Sequence, residues 1–304
     1  MSYESFSLEE ELNSSYAPLP LRAEADGASR NLKLQQAANR QRLYLRKKTT
    51  IKLRELLKRS ALILYFEPVL STQSMKINGA NVNLKIQRQG IGPVPAQHIL
   101  SLVEDSAILI DIGCWMVGQI LHKSKKFPRQ FVFTLPVSAY LLRSQKFVSY
   151  VINGLNNHKI GIGRLQFALT EEVARSEDND LVSALEWLSE SGVTFSVSHL
   201  GTIEKAQQLL EEELFSTLVL DKYLVKAALE SEDQYPKLKA LCRMAHTRNC
   251  TLRVAGIEAV ERIKLYSAAG IDELQGTAIS SAMPLTALYN YSRQACLLET
   301  DAAE

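Results

Sequence analysis

The residue types that could do chemistry in this chain are sparse and poorly grouped. His199 could ligate a metal, but no second His, Cys or acid lies beside it at ligand spacing, and a lone imidazole in such a setting is ordinarily structural. Cys114, Cys242, Cys250 and Cys296 form no Cys-x-x-Cys pair, which predicts reduced and mostly buried thiols. Gly161 and Gly163 are followed by neither the Gly-x-x-Gly spacing nor a helix start of a dinucleotide loop, so they predict a turn ahead of a strand. Gly90 and Gly92, ahead of Pro93 and Pro95, read as loop punctuation. The strongest local pattern is charge: Arg40, Arg42, Arg46, Lys47, Lys48, Lys52, Arg54, Lys58 and Arg59 are opposed by Glu55 alone.

Composition bounds what these residues can serve. The 304 residues are 46% apolar and 22% charged, enough to bury one large core, and their net charge of +2 is too small for bulk affinity for nucleic acid or a membrane surface. The longest apolar stretch, residues 107–121, is interrupted by Asp111 and falls short of the ~20 residues that cross a bilayer, so no membrane insertion is expected. No secretory signal is evident at Met1, and a cytoplasmic location is expected.

Residues 1–38 predict a disordered acidic-to-polar tail, with Glu4, Glu9, Glu10, Glu11, Glu24 and Asp26, and with Phe6, Leu8 and Leu12 as a face that could dock on a partner. Residues 39–60 predict a basic amphipathic helix, its Leu53, Leu56 and Leu57 turned to a core. From there strand-like runs over 62–68, 82–86, 131–135, 165–169, 193–197, 217–220, 251–255 and 273–275 alternate with helical patterns over 98–105, 112–122, 179–189, 202–212, 235–247 and 259–269. That alternation indicates a mainly parallel α/β fold with enough strands to close a barrel over 61–296, followed by a tail over 297–304. Trp115 and Trp187 lie in apolar helical stretches and are expected in the core.

Several short motifs carry a resemblance. Residues 65–68, the block 95–115, residues 167–171, Leu200-Gly201-Thr202, Gly256-Ile257-Glu258 and Gln275-Gly276 occur in the order and rough spacing of the EAL family of cyclic di-GMP phosphodiesterases. The resemblance implies a modified (β/α)8 TIM barrel with one antiparallel strand. It also implies a mouth in which two divalent cations, held by carboxylates, activate water against a phosphodiester. This chain departs from the family at most of those positions. The signature Glu is Asn81, the family's strand Asn is Thr134, its Asp-Asp pair is Ser198-His199, its catalytic Lys falls on Val219, and the first Glu of its Ala-Glu-Gly-Val-Glu is Ala255. Glu171 and Gln275 survive as written. At the nucleotide positions Leu84 and Lys85 stand for the family's Leu-Arg, and Glu67 replaces a guanine-contacting Gln. Lys keeps the charge but loses the guanidinium fork, and an acid at 67 adds negative charge beside a dianionic ligand.

Hard cations need several oxygen ligands, chiefly carboxylates, so this pattern implies a barrel without hydrolysis and without a resident metal or cofactor. The resulting expectation is a regulatory protein of bacterial signalling, in motility, biofilm formation or transcriptional control, that acts by binding another protein, with Arg46, Lys47 and Lys48 as a candidate contact. The alternative is a metal-independent receptor for intact cyclic di-GMP, and an active phosphodiesterase ranks last. Direct nucleic-acid binding is not expected, since no helix-turn-helix or aromatic platform accompanies the basic run. A homodimer is compatible with the sequence.

Overall fold

The computed structural model describes residues 27–103 and 106–294. The acidic run with Phe6, Leu8 and Leu12, the thiol of Cys296 and the tail 297–304 lie outside the described residues. The chain divides into two units, Met1–Lys48 and Thr49–Glu304. Helix α1 (Gly27–Lys58) begins well ahead of residue 39, the expected start of the basic helix. Residues 28–48 contain neither Gly nor Pro and are rich in Ala, Leu, Gln, Arg and Lys, so intrinsic propensity carries the helix where amphipathicity does not. Within the second unit Leu53 is fully buried, and Leu56 and Leu57 pack against the same core.

That unit is a closed barrel. Strand β1 (Leu62–Ser71) runs antiparallel to both β2 (Ile77–Arg88) and β9 (Glu273–Gln275). From β2 the sheet continues in parallel through β4 (Val132–Pro136), β5 (Leu165–Thr170), β6 (Thr194–Leu200), β7 (Phe215–Leu220), β8 (Thr251–Val254) and β9. The β1–β2 pairing closes the ring. A strand that the sequence reading passed over, β3 (Gly92–Pro95), pairs with the free side of β2 outside the ring. Its two prolines cannot donate to a ladder, which suits a short edge strand and hides it from a strand pattern.

Helices α2 (Gln97–Ser101), α3 (Ala107–Ser124), α4 (Ala139–Leu142), α5 (Gln145–His158), α6 (Glu171–Ala174), α7 (Asn179–Glu190), α8 (Ile203–Leu210), α9 (Lys222–Leu229), α10 (Gln234–Thr247), α11 (Arg262–Ala269) and α12 (Leu285–Arg293) occupy the connections and the C-terminal flank. The helix α5 was not expected, because Gly154 and its β-branched residues weaken the pattern. Tertiary packing supplies the reason: a Cβ on Gly154 would meet Leu121 at 2.6 Å, so the glycine lets α5 approach α3. Ser144 caps α5 by accepting from the Phe147 amide at 3.3 Å, and Lys159 ends it at φ 50°. Of the tryptophans, Trp115 packs against the core as expected, whereas Trp187 is 55% exposed on α7. Leu181, Ala184, Leu185 and Leu188 already supply the buried face of that short helix.

Strand alternation sorts the barrel into two environments. Phe133, Leu135, Phe167, Phe195, Val197, Leu218, Leu252 and Leu274 belong to the buried apolar core, continued by aromatic contacts such as Phe147–Phe167 at 5.8 Å. Their neighbours Thr134, Gln166 and Thr217 hydrogen-bond to one another across β4, β5 and β7, so they face the lumen. The cysteines Cys114, Cys242 and Cys250 are buried and free, and burial pushes the Cys242 and Cys250 thiols up to about 11 and about 12. At ordinary pH they are packing residues.

The seam beside the lumen depends on one glycine. Gly276 holds φ 146°, and a Cβ there would lie 2.3 Å from the backbone N and O of Ile257. That close approach accompanies the bonds from Ile257 N to Gln275 O and from Ala278 N to Ile257 O, both 2.9 Å. Gly276→Ala is expected to cost on the order of 3 kcal/mol through strain and backbone displacement, measured as the shift in a urea denaturation midpoint.

Candidate functional site

In a barrel of this kind the working positions are the C-terminal ends of the strands and the loops after them. The register places them directly. Asn81 pairs with Thr134 on β4 and with Glu67 on β1, where β2 leaves the ring. Beyond Asn81 the strand β2 continues with β1 and β3 as an arm past the mouth, and this arm carries Leu84 and Lys85. Leu84 packs against the core, and the Lys85 ammonium lies 4.2 Å from the Tyr65 ring centroid, a cation–π contact.

At the floor of the mouth the side chains form a continuous polar tie. Asn81 Nδ2 donates to Gln275 Oε1 at 2.6 Å, and the Gln275 side chain hydrogen-bonds Glu67. On the other side, Asn81 Oδ1 accepts from Arg253 Nη1 at 3.2 Å. Arg253 Nε and Nη2 both bind Glu273 Oε2, at 2.8 and 2.7 Å, and Glu273 Oε1 accepts from Asn78 Nδ2 at 2.7 Å. The chain Glu273–Arg253–Asn81–Gln275–Glu67 therefore links β8, β9, β2 and β1 across the lumen.

Arg253 was missed by the sequence reading. It sits in Thr251-Leu252-Arg253-Val254, an otherwise ordinary strand, and only 3% of it is exposed. The available signal was a cation at the alternating position two residues before Ala255, which places it on the lumen face one layer below the mouth. Burial of the Glu67 carboxyl pushes its pKa up, while the Gln275 hydrogen bond opposes that shift.

These residues do not fit a divalent cation. The Asn81 oxygen that would replace a carboxylate ligand already accepts from a guanidinium, and Thr134 Oγ1 donates to Gln166 Oε1 at 2.9 Å. A divalent ion bonded to that Asn81 oxygen would be held within roughly 5 Å of Arg253, a repulsion of about 7 kcal/mol at an effective dielectric of ~20. Among the described residues no group of three or more His, Cys, Asp or Glu side chains is arranged to hold a metal.

The retained acid Glu171 is not part of the tie. It opens α6 directly after β5, where Arg175 Nε at 3.2 Å and Lys205 Nζ at 2.9 Å hold its two oxygens. Ser198 and His199 lie in a register irregularity between Val197 and Leu200, with His199 at φ 62° and exposed. Val219 is buried on β7, and Ala255 follows the end of β8. Lys222, three residues after Val219, starts α9 and pairs with Glu258, and this contact raises the Lys222 pKa and lowers that of Glu258. The structure thus brings Asn81, Gln275 and Glu67 together and leaves Glu171, Lys85 and His199 in separate surroundings.

Two stability measurements follow from the tie. Arg253→Met strands Glu273 and Asn81, and is expected to cost about 3–5 kcal/mol in urea denaturation; adding Glu273→Leu is expected to recover part of that loss. The raised pKa of Glu67 means that the fold favours its protonated form, a contribution complete below the unfolded-state value and lost as pH rises through the folded one. Glu67→Gln is therefore expected to raise the melting temperature at neutral pH, with the gain shrinking in acid.

Comparison with known proteins agrees with this architecture. The EAL domain family matches residues 51–282. The bifunctional diguanylate cyclase/cyclic di-GMP phosphodiesterase MucR of Pseudomonas aeruginosa is 22% identical over 236 residues, covering 76% of this chain and 34% of that protein. The solved structure of the PaMucR phosphodiesterase with c-di-GMP superposes with a TM-score of 0.66 at 20% identity, over 79% of this chain and 99% of that one. The Xanthomonas citri FimX EAL domain in complex with c-di-GMP gives 0.69 at 16% identity, over 81% and 97%. The chain spans about a third of the length of the curated relatives it matches. With the motifs, the closed ring and its one antiparallel strand in agreement with that match, the chain belongs to the EAL domain family.

Proposed function

We propose that this chain is a non-hydrolytic EAL barrel that acts in bacterial signalling by binding a regulatory protein, in the setting of motility, biofilm formation or transcriptional control. The observation that supports it most is the state of Asn81, whose carboxamide is held between Arg253 and Gln275 at the position of the signature Glu. Glu171 adds to this, since a carboxylate tied to Arg175 and Lys205 is neither an open ligand nor a free base. A barrel whose mouth polar groups bind one another keeps its outer surface and N-terminal helix for recognition. On that helix Lys47 is exposed, whereas Arg46 and Lys48 already have interactions, so Lys47 is the clearest of the three as a contact.

A second reading, a metal-independent cyclic di-GMP receptor, is favoured by one electrostatic detail. Lys85 on the arm, apart from Glu67, holds its ammonium over the Tyr65 ring and offers a cation to a phosphate. The two readings share the absence of turnover and differ in the ligand.

Incubation with cyclic di-GMP in magnesium or manganese is expected to give no linear product above a no-protein control. Product that Glu171→Ala abolishes would overturn the proposal. Calorimetric titration with cyclic di-GMP separates the two readings: if the nucleotide binds, Lys85→Ala is expected to weaken it by about 1–3 kcal/mol, and no heat at all leaves the protein partner as the ligand. For the protein-binding reading, Lys47→Glu is expected to reduce recovery of an acidic partner at low salt and to flatten the salt dependence of capture.

A further inference from the structure

The arginine in the lumen does more than fill space. It has three observed bonds to protein oxygens, two to Glu273 and one to Asn81, and it is almost fully buried. It lies on β8, which ends at Val254 just before Ala255, and reaches across to the residue at the signature position of β2. A divalent cation in that region would have to draw together oxygen ligands from several strands, and here a guanidinium does so with a fixed charge of one. Its charge is matched locally by Glu273, while Asn81 and Gln275 are neutral amides. Arg253 and Glu273 are therefore balanced as a pair without any added ion.

We propose that Arg253 is an internal cation that takes over the strand-linking role of a metal at the mouth and excludes divalent ions from it. Loss of the family's carboxylates is then only half of the change. Putting the acids back leaves metal binding blocked, because a carboxylate restored at position 81 meets the guanidinium there and forms an ion pair with it. This inference concerns metal selection by one residue, and it stands whether the protein recognises a protein or a nucleotide.

The test reads manganese binding directly, by electron paramagnetic resonance of free Mn2+ in a titration of the full chain. Three proteins are compared: the natural sequence; Asn81→Glu/Ser198→Asp/His199→Asp/Ala255→Glu; and the same four substitutions with Arg253→Gln. The four-carboxylate protein is expected to bind Mn2+ at least tenfold more weakly than its counterpart lacking Arg253. Equal affinity in the two would overturn the proposal.

A milder pair keeps the question open to refutation if four acids unfold the barrel. Asn81→Glu alone is expected to melt at a temperature independent of Mn2+, whereas Asn81→Glu/Arg253→Gln is expected to gain melting temperature as Mn2+ is added. A manganese-dependent rise in both, of similar size, would show that Arg253 excludes nothing. Circular dichroism of each protein before titration confirms that folded chains are compared.

Discussion

A barrel with a polar lumen must satisfy its buried donors and acceptors from its own strands, and the Arg253 guanidinium is the group on which that satisfaction turns. Its fork meets Glu273 with two nitrogens, and its third reaches Asn81. An ion pair this far from water gains little net stability over a well-packed apolar equivalent, because desolvation of both charges offsets their attraction. Its value is in specificity: it fixes β8, β9 and β2 in one arrangement and leaves every member dependent on the others.

The antiparallel strand β1 is the second part of that arrangement. The seam between β9 and β2 is closed by a strand that runs against both neighbours. Glu67 on that strand stands opposite Asn81 and joins the tie through Gln275. On the far side, Gln166 takes a bond from Thr134 and donates to Ser216 and Thr217, so these groups of β4, β5 and β7 are paired in the same manner. The seam with β8 forms one network beside the Gln166 cluster, and substitutions at Asn81 are felt as packing changes as well as chemical ones.

The proposed function rests on what this network leaves available. Asn81, Gln275 and Arg253 are engaged with one another, and Glu171 is held by two cations outside the lumen. The arm formed by β1, β2 and β3 beyond the mouth carries Lys85 and Tyr65, and α1 carries a dense basic run. The proposed recognition role rests on these surfaces.

The sequence by itself determined the class of fold and the position of nearly every barrel strand, and it set the expectation that the family's carboxylates are replaced, because alternation of apolar residues and short motifs are local properties of a chain. It did not reveal β3, whose prolines erase a strand pattern, or α5, whose Gly154 is a packing requirement set by Leu121. It placed Trp187 in the core, which the four apolar residues on the opposite face of α7 made unnecessary. Above all it passed over Arg253, since a single cation in a strand has no meaning until closure of the barrel brings Glu273 and Asn81 to it from positions remote in sequence. Which groups are present is written in the chain; which of them neutralise one another was decided only by the ring of strands, because a buried charge is defined by its neighbours in space.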